Sequence, residues 1–191
     1  MAKPEIKSII ISAATQYFSK FGFYKTTMDE IAKHIHKAKG VLYYHYNSKE
    51  ELFNEVLKQE LSTVKTELQK VVNSDEDALT VLNNYFFKRL ELLHESVNYH
   101  ETLKADFFEK YHFVEEVRED FTTFERNNFY QMLKKGEDEG VLHFNNIDST
   151  VNILLMLVNS MEVPLFLQNK YSEYIHTIKE LAEFLVKGLK S

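Results

Sequence analysis

The chain has no cysteine among its 191 residues. That excludes disulfides, thiolate zinc sites, iron–sulfur ligation and cysteine nucleophiles together, and it fits a reducing cytoplasm. Five glycines and two prolines are few for this length, and a fold of many short strands needs more turn residues than that. Long helices are the expected alternative. An unbroken apolar run of about 18 residues, the length of a membrane span, is also missing: residues 151–167, the most apolar stretch, are interrupted by Asn152, Asn159, Ser160, Glu162 and Pro164. The N-terminus lacks an apolar signal core, and its first periodic segment already carries Lys7, Gln16 and Lys20, so a soluble, cytoplasmic chain without membrane contact is expected. Walker loops, Gly-rich dinucleotide fingerprints, His-Glu-x-x-His and Gly-x-Ser-x-Gly do not occur, and neither an enzyme nor a cofactor or metal is expected.

With 44% apolar and 27% charged residues, the composition is that of a globular protein. Charge is informative once divided. The first 50 residues hold eight Lys and no Arg against Glu5, Asp29, Glu30 and Glu50, a net +4, whereas the remainder holds 15 basic and 25 acidic groups, a net −10. A basic head on an acidic body suits a protein that must present one end to a polyanion.

Apolar periodicity predicts an all-α chain of about nine helices. Ile6, Ile10, Ala13, Ala14, Tyr17, Phe18 and Phe21 stripe a first helix that stops at Gly22;. Thr27 and Glu30 form a capping box that starts a short second helix, and after the tight turn His36-Lys37-Ala38 helical spacing resumes from Lys39 to Tyr46;. A second box, Ser48 with Glu51, opens a long fourth helix reaching Val72;. A fifth follows from Leu79 to Val97, a short sixth around Leu103 to Phe108, and a seventh from Val114 to the Gly136–Gly140 turn. Asp148 is positioned to cap an eighth helix whose run Ile153 to Val158 is apolar all round, Pro164 kinks or divides it near Glu162, and Ile175 to Leu189 stripe a ninth;. The expected division is a DNA-binding domain over residues 1–48, with its motif at about 27–46, and a helical domain over 49–191, joined through the fourth helix.

A helix, a tight turn and a second helix, backed by a supporting helix, is the arrangement that delivers a recognition helix into the DNA major groove. Lys37 and Lys39 stand where the second of these begins, Gly40 permits close backbone approach, and Tyr43, Tyr44, His45 and Tyr46 crowd polar aromatic tips onto a short helix;. The stretches Thr26-Thr27, Ile31-Ala32, Lys39-Gly40-Val41-Leu42-Tyr43-Tyr44-His45-Tyr46 and Ser48-Lys49-Glu50-Glu51-Leu52 resemble the N-terminal pattern of the TetR family of bacterial transcriptional regulators. The resemblance covers about the first 60 residues. It implies that Thr27, Tyr44, His45 and Lys49 contact phosphates, that Lys37, Lys39, Gly40, Val41 and Tyr43 lie at or near base edges, and that the chain represses transcription from a palindromic operator. Tyr46 replaces the family's usual Phe and reads as core. His36 and Ala38 stand where the family commonly has Gly and Ser, so a turn glycine and a helix cap are missing.

The all-round apolar eighth helix and the striped ninth predict a homodimer through the last two helices, since one chain of this size cannot cover both. Phe86, Phe107, Phe108, Tyr111, Phe124, Tyr130 and Glu162 are the candidate lining of a pocket for an apolar or amphipathic effector;. The alternative reading is a helical di-iron carboxylate oxidoreductase, because Glu-x-x-His occurs at Glu91/His94, Glu109/His112 and Glu173/His176;. Glu91 and Glu173 fall on the polar sides of their helices, whereas bundle metal ligands point inward.

Overall fold

The computed structural model describes residues 5–104, 107 and 110–189. Among these residues there are nine α-helices and no strand: α1 (Ile6–Phe21), α2 (Met28–His34), α3 (Lys39–His45), α4 (Lys49–Val72), α5 (Ala78–Glu95), α6 (Val97–Glu101), α7 (His112–Asp138), α8 (Ile147–Ser160) and α9 (Tyr171–Leu189). A π-helical turn, Val163–Leu167, follows α8 and carries Pro164. Two compact units form, one from residues up to Leu61 with Val97–Val117, the other from Ser62–Ser96 with Arg118 onward. Helix α4 supplies residues to both.

In the first unit the apolar stripe of α1 buries Ile10, Ala13, Ala14 and Phe18. Phe18, Phe23 and Phe53 meet at centroid separations of 4.9–5.9 Å. Each buried ring contributes about 1.5–3 kcal/mol through area alone. Segment 97–117 adds to this core from far along the chain: Phe107 lies fully buried against Phe23 and Phe53, with Tyr111 beside it. Helix α6 is anchored by Glu60 of α4, whose carboxylate accepts the Tyr99 amide at 2.8 Å, and by Asn98, whose side-chain amide donates to Ser19 Oγ at 2.9 Å. Burial pushes the Glu60 carboxyl up, partly offset by these backbone amides;.

The second unit buries a charged cluster in its apolar interior. Arg89 Nε donates to Glu125 at 2.5 Å and Nη2 to Glu162 at 2.7 Å, and all three side chains are essentially without solvent exposure. Arg118, a quarter exposed, reaches the second Glu162 oxygen at 3.3 Å. Desolvation raises the Glu125 carboxyl, and Arg89 opposes that shift.

Several boundaries differ from the sequence reading. Asn146, not Asp148, caps α8, its Oδ1 accepting the Ser149 amide at 2.8 Å. Helix α5 stops at Glu95, so Val97 opens α6 instead of closing the stripe. Helix α7 runs on to Asp138 and includes Gly136, where a Cβ would collide with the Leu142 side chain. The helical stretch Ile147–Leu167, with mean hydropathy 1.6, is long and apolar enough to cross a membrane by length and composition, which corrects the expectation that the polar interruptions leave it short. In this fold the same apolarity serves packing, with Val151, Leu154, Leu155, Val158, Leu165 and Phe166 buried.

Candidate nucleic-acid interface

The interface is built from the α2–turn–α3 segment, and its geometry begins with the cap. The Glu30 amide donates to Thr27 Oγ1 at 3.3 Å, while the Thr27 amide and hydroxyl both donate to Glu30 Oε2, at 2.9 and 2.7 Å. These bonds hold the Glu30 carboxyl below its usual range. Met28, Ile31 and Ala32 anchor α2 inward and Leu42 anchors α3, so the opposite faces are left to solvent.

The turn between them is strained. His36 has φ of 55°, the left-handed region that favours glycine, and the Lys37 amide donates to the Ala32 carbonyl at 2.9 Å;. Ala38 precedes α3 without a side-chain cap. Both departures noted in the sequence therefore fall where the backbone would use glycine and serine.

The outward face of α3 presents Lys39, Gly40, Tyr43 and Tyr44, with Lys37 in the turn before it. A Cβ at Gly40 would meet open space. Tyr44 is 85% exposed, its ring edge against His45, and Val41 and His45 are half-buried beside it. Lys39 Nζ lies 3.4 Å from Asp29 of α2 and 5.6 Å from the centre of the Tyr43 ring. Thr27 is exposed at the start of α2. Lys49 stands apart from this set: its ammonium donates to the Phe23 carbonyl at 2.8 Å and sits over the Phe23 ring at 4.3 Å, and burial lowers its pKa. Tyr46 is buried, as its reading as core required, and burial raises its phenol.

The candidate effector residues divide between the two units. Phe107 and Tyr111 belong to the aromatic core of the first unit, and Phe108 lies outside the described residues. Phe86 and Phe124 lie in the second unit, where Phe124 packs on Phe121 under the Lys65 ammonium, and Tyr130 is 44% exposed. Glu162 is occupied by Arg89 and Arg118. Phe86 lines a cavity in that unit, a narrow slot of about 20 Å³ bounded by Leu82, Phe129, Leu154, Val158, Ala182 and Leu185. The sequence reading missed Asp29 as a partner of Lys39, and it missed Arg89, although a lone arginine on the apolar face of α5 was visible in the spacing of Leu82, Phe86 and Leu93. Among the described residues no three His, Cys, Asp or Glu side chains gather as a metal site, and His112 is almost fully exposed.

A capped helix, a tight turn and an outward second helix, backed by α1, define a helix-turn-helix transcriptional regulator. Residues 10–56 match the family described as bacterial regulatory proteins, tetR family, so the helix-turn-helix segment is similar to that family's N-terminal domain. It is 26% identical over 190 residues to the HTH-type transcriptional regulator QacR of Staphylococcus aureus, covering 96% of this chain and 98% of that one. Over 48 residues, a quarter of each chain, it is 44% identical to the biofilm operon negative transcriptional regulator IcaR of Staphylococcus epidermidis. A crystal structure of a transcriptional regulator from Cytophaga hutchinsonii is similar with a TM-score of 0.81 at 25% identity, over 96% of this chain and 98% of that one.

Proposed function

We propose that the chain is a ligand-responsive repressor that binds a palindromic DNA operator as a homodimer, with α3 in the major groove. The observation that carries this reading is the exposed face of α3. Lys39 and Tyr43 project from a helix whose opposite side is pinned by Leu42, and backbone at Gly40 is open to close approach. Lysine can donate to guanine O6 and N7, and tyrosine hydroxyls and lysines can hold phosphates. Thr27, Tyr44, His45 and Lys37 flank that face as phosphate contacts. Such work places the protein in the cytoplasm with the chromosome.

Dimerisation is supported by apolar surface left open on the last two helices: Ile153 is 59% exposed, Met156 73% and Phe184 71%. Three large apolar side chains at such exposure suit a four-helix contact between two copies. Two recognition helices spaced by one helical turn, roughly 34–36 Å, then address successive half-sites. The apolar slot beside Phe86 is the site we assign to an apolar or amphipathic effector, which would have to widen it on entry;. Selection of duplexes from a randomised pool tests the reading: an enriched two-fold palindrome supports it, and a pool that stays random at low ionic strength refutes it.

A further inference from the structure

We propose that Asp29 is a positioning residue that sharpens discrimination between operator and random DNA by holding the Lys39 ammonium on the outer face of α3. The inference rests on the DNA-binding reading above.

Two acids open α2, and their tasks differ. Glu30 is consumed by the Thr27 cap. Asp29 is turned to the lysines instead, with Oδ1 at 3.4 Å from Lys39 Nζ and Oδ2 at 4.0 Å from Lys33 Nζ. Held by Asp29 and lying over the Tyr43 ring, Lys39 is restrained from two directions. A carboxylate on a face that meets phosphates weakens sequence-independent binding, which is almost wholly electrostatic. An ammonium has three donors, so one can stay on Asp29 while others reach a guanine edge. The restraint therefore costs little at the correct base and takes Lys39 away from phosphates elsewhere.

Asp29 also lies in the first turn of α2, where a negative charge favours the helix dipole. The test must accordingly read something that helix stability does not move, and the salt dependence of binding is such a quantity. Wild type, Asp29→Asn, Lys39→Ala and the double variant are titrated from 50 to 200 mM salt with two duplexes. One is the duplex wild type selects from a randomised pool; the other is its scrambled counterpart. For Asp29→Asn the expected result is tighter binding to the scrambled duplex and a steeper salt slope on it, by about 0.9 for the one phosphate Lys39 gains. The ratio of selected to scrambled affinity should fall about 5-fold, a change of the size one lost positioned contact produces. In the Lys39→Ala background the same substitution should leave the ratio unchanged. Equal tightening on both duplexes, or a fall in the selected-to-scrambled ratio that persists without Lys39, overturns the proposal while leaving DNA binding intact. Failure of wild type to bind either duplex at 50 mM salt overturns the DNA-binding reading itself.

Discussion

The ring of Phe107 lies 5.1 Å from that of Phe23 and nearly perpendicular to it, at 78°. Phe23 belongs to the connection between α1 and α2, and Phe107 comes from far downstream, so the core beneath the helix-turn-helix is closed by a segment well outside the residues that make it. Phe53 of α4 completes the contact at 5.6 Å from Phe107. Edge-on pairs of this kind add about 0.5–1.5 kcal/mol beyond the area they bury.

Phe107→Ala therefore destabilises the DNA-binding unit by about 3–5 kcal/mol, the range for deleting a fully buried phenyl ring. Hydrogen exchange reads this directly: amides of α1 and α2 lose protection in the variant. Protection lost only in the second unit would contradict the placement of Phe107.

The turn into α3 offers two stabilising substitutions. His36→Gly relieves a left-handed backbone at φ of 55° and is expected to add about 1 kcal/mol. Ala38→Ser supplies the absent cap of α3, again at about 1 kcal/mol. Each raises the thermal midpoint and slows exchange of the Leu42 to Tyr46 amides. An unchanged midpoint for both would mean that the turn is not a weak point.

Arg89 holds two buried carboxylates. Arg89→Met takes its partner from Glu125 and leaves Glu162 to Arg118, at a cost of about 3–5 kcal/mol;. Adding Glu125→Met and Glu162→Met to the same chain restores most of the loss, because an apolar trio needs no desolvation. Denaturant unfolding of the single and triple variants checks this; a triple variant less stable than the single one contradicts it.

The carboxylates also set the pH dependence. Burial raises Glu60 from its ordinary value of 4.5, so the folded chain binds that proton more tightly than the unfolded chain. Stability from this group grows as pH falls through the raised folded value and is complete below 4.5. Glu30 and Asp77 are lowered by their capping hydrogen bonds, so the stability they contribute is lost only at more acid pH, through their depressed values. Unfolding in urea at stepped pH should thus pass a maximum near the ordinary carboxylate range. Glu60→Gln flattens the rise from neutrality toward that maximum; an unaltered profile removes Glu60 from the account.

Much of this was legible because the signals are local. The Thr27–Glu30 box, the stripe of α1 and the length of α4 each follow from spacing within a few residues. Part of the outward face of α3 could be read because Tyr46 was evident as core. What spacing left illegible is the set of partners distant in sequence. Phe107 and Tyr111 look like pocket aromatics until the fold sets them against Phe23. Glu162 looks like a lone carboxylate until Arg89, 73 residues earlier, meets it. Lys49 has a partner its spacing did not reveal, the Phe23 carbonyl. Asn146 displaced Asp148 as a cap because helix ends depend on backbone geometry that composition does not specify;.

Binding of wild type, Lys39→Ala and Tyr43→Ala to a duplex selected from a randomised pool, with thermal midpoints measured in parallel, addresses the regulator reading most directly. Each substitution should weaken binding by at least about tenfold, within the 1–3 kcal/mol of one base contact, while the midpoint stays put because both side chains are exposed. Undiminished binding in both variants would mean that α3 does not face DNA.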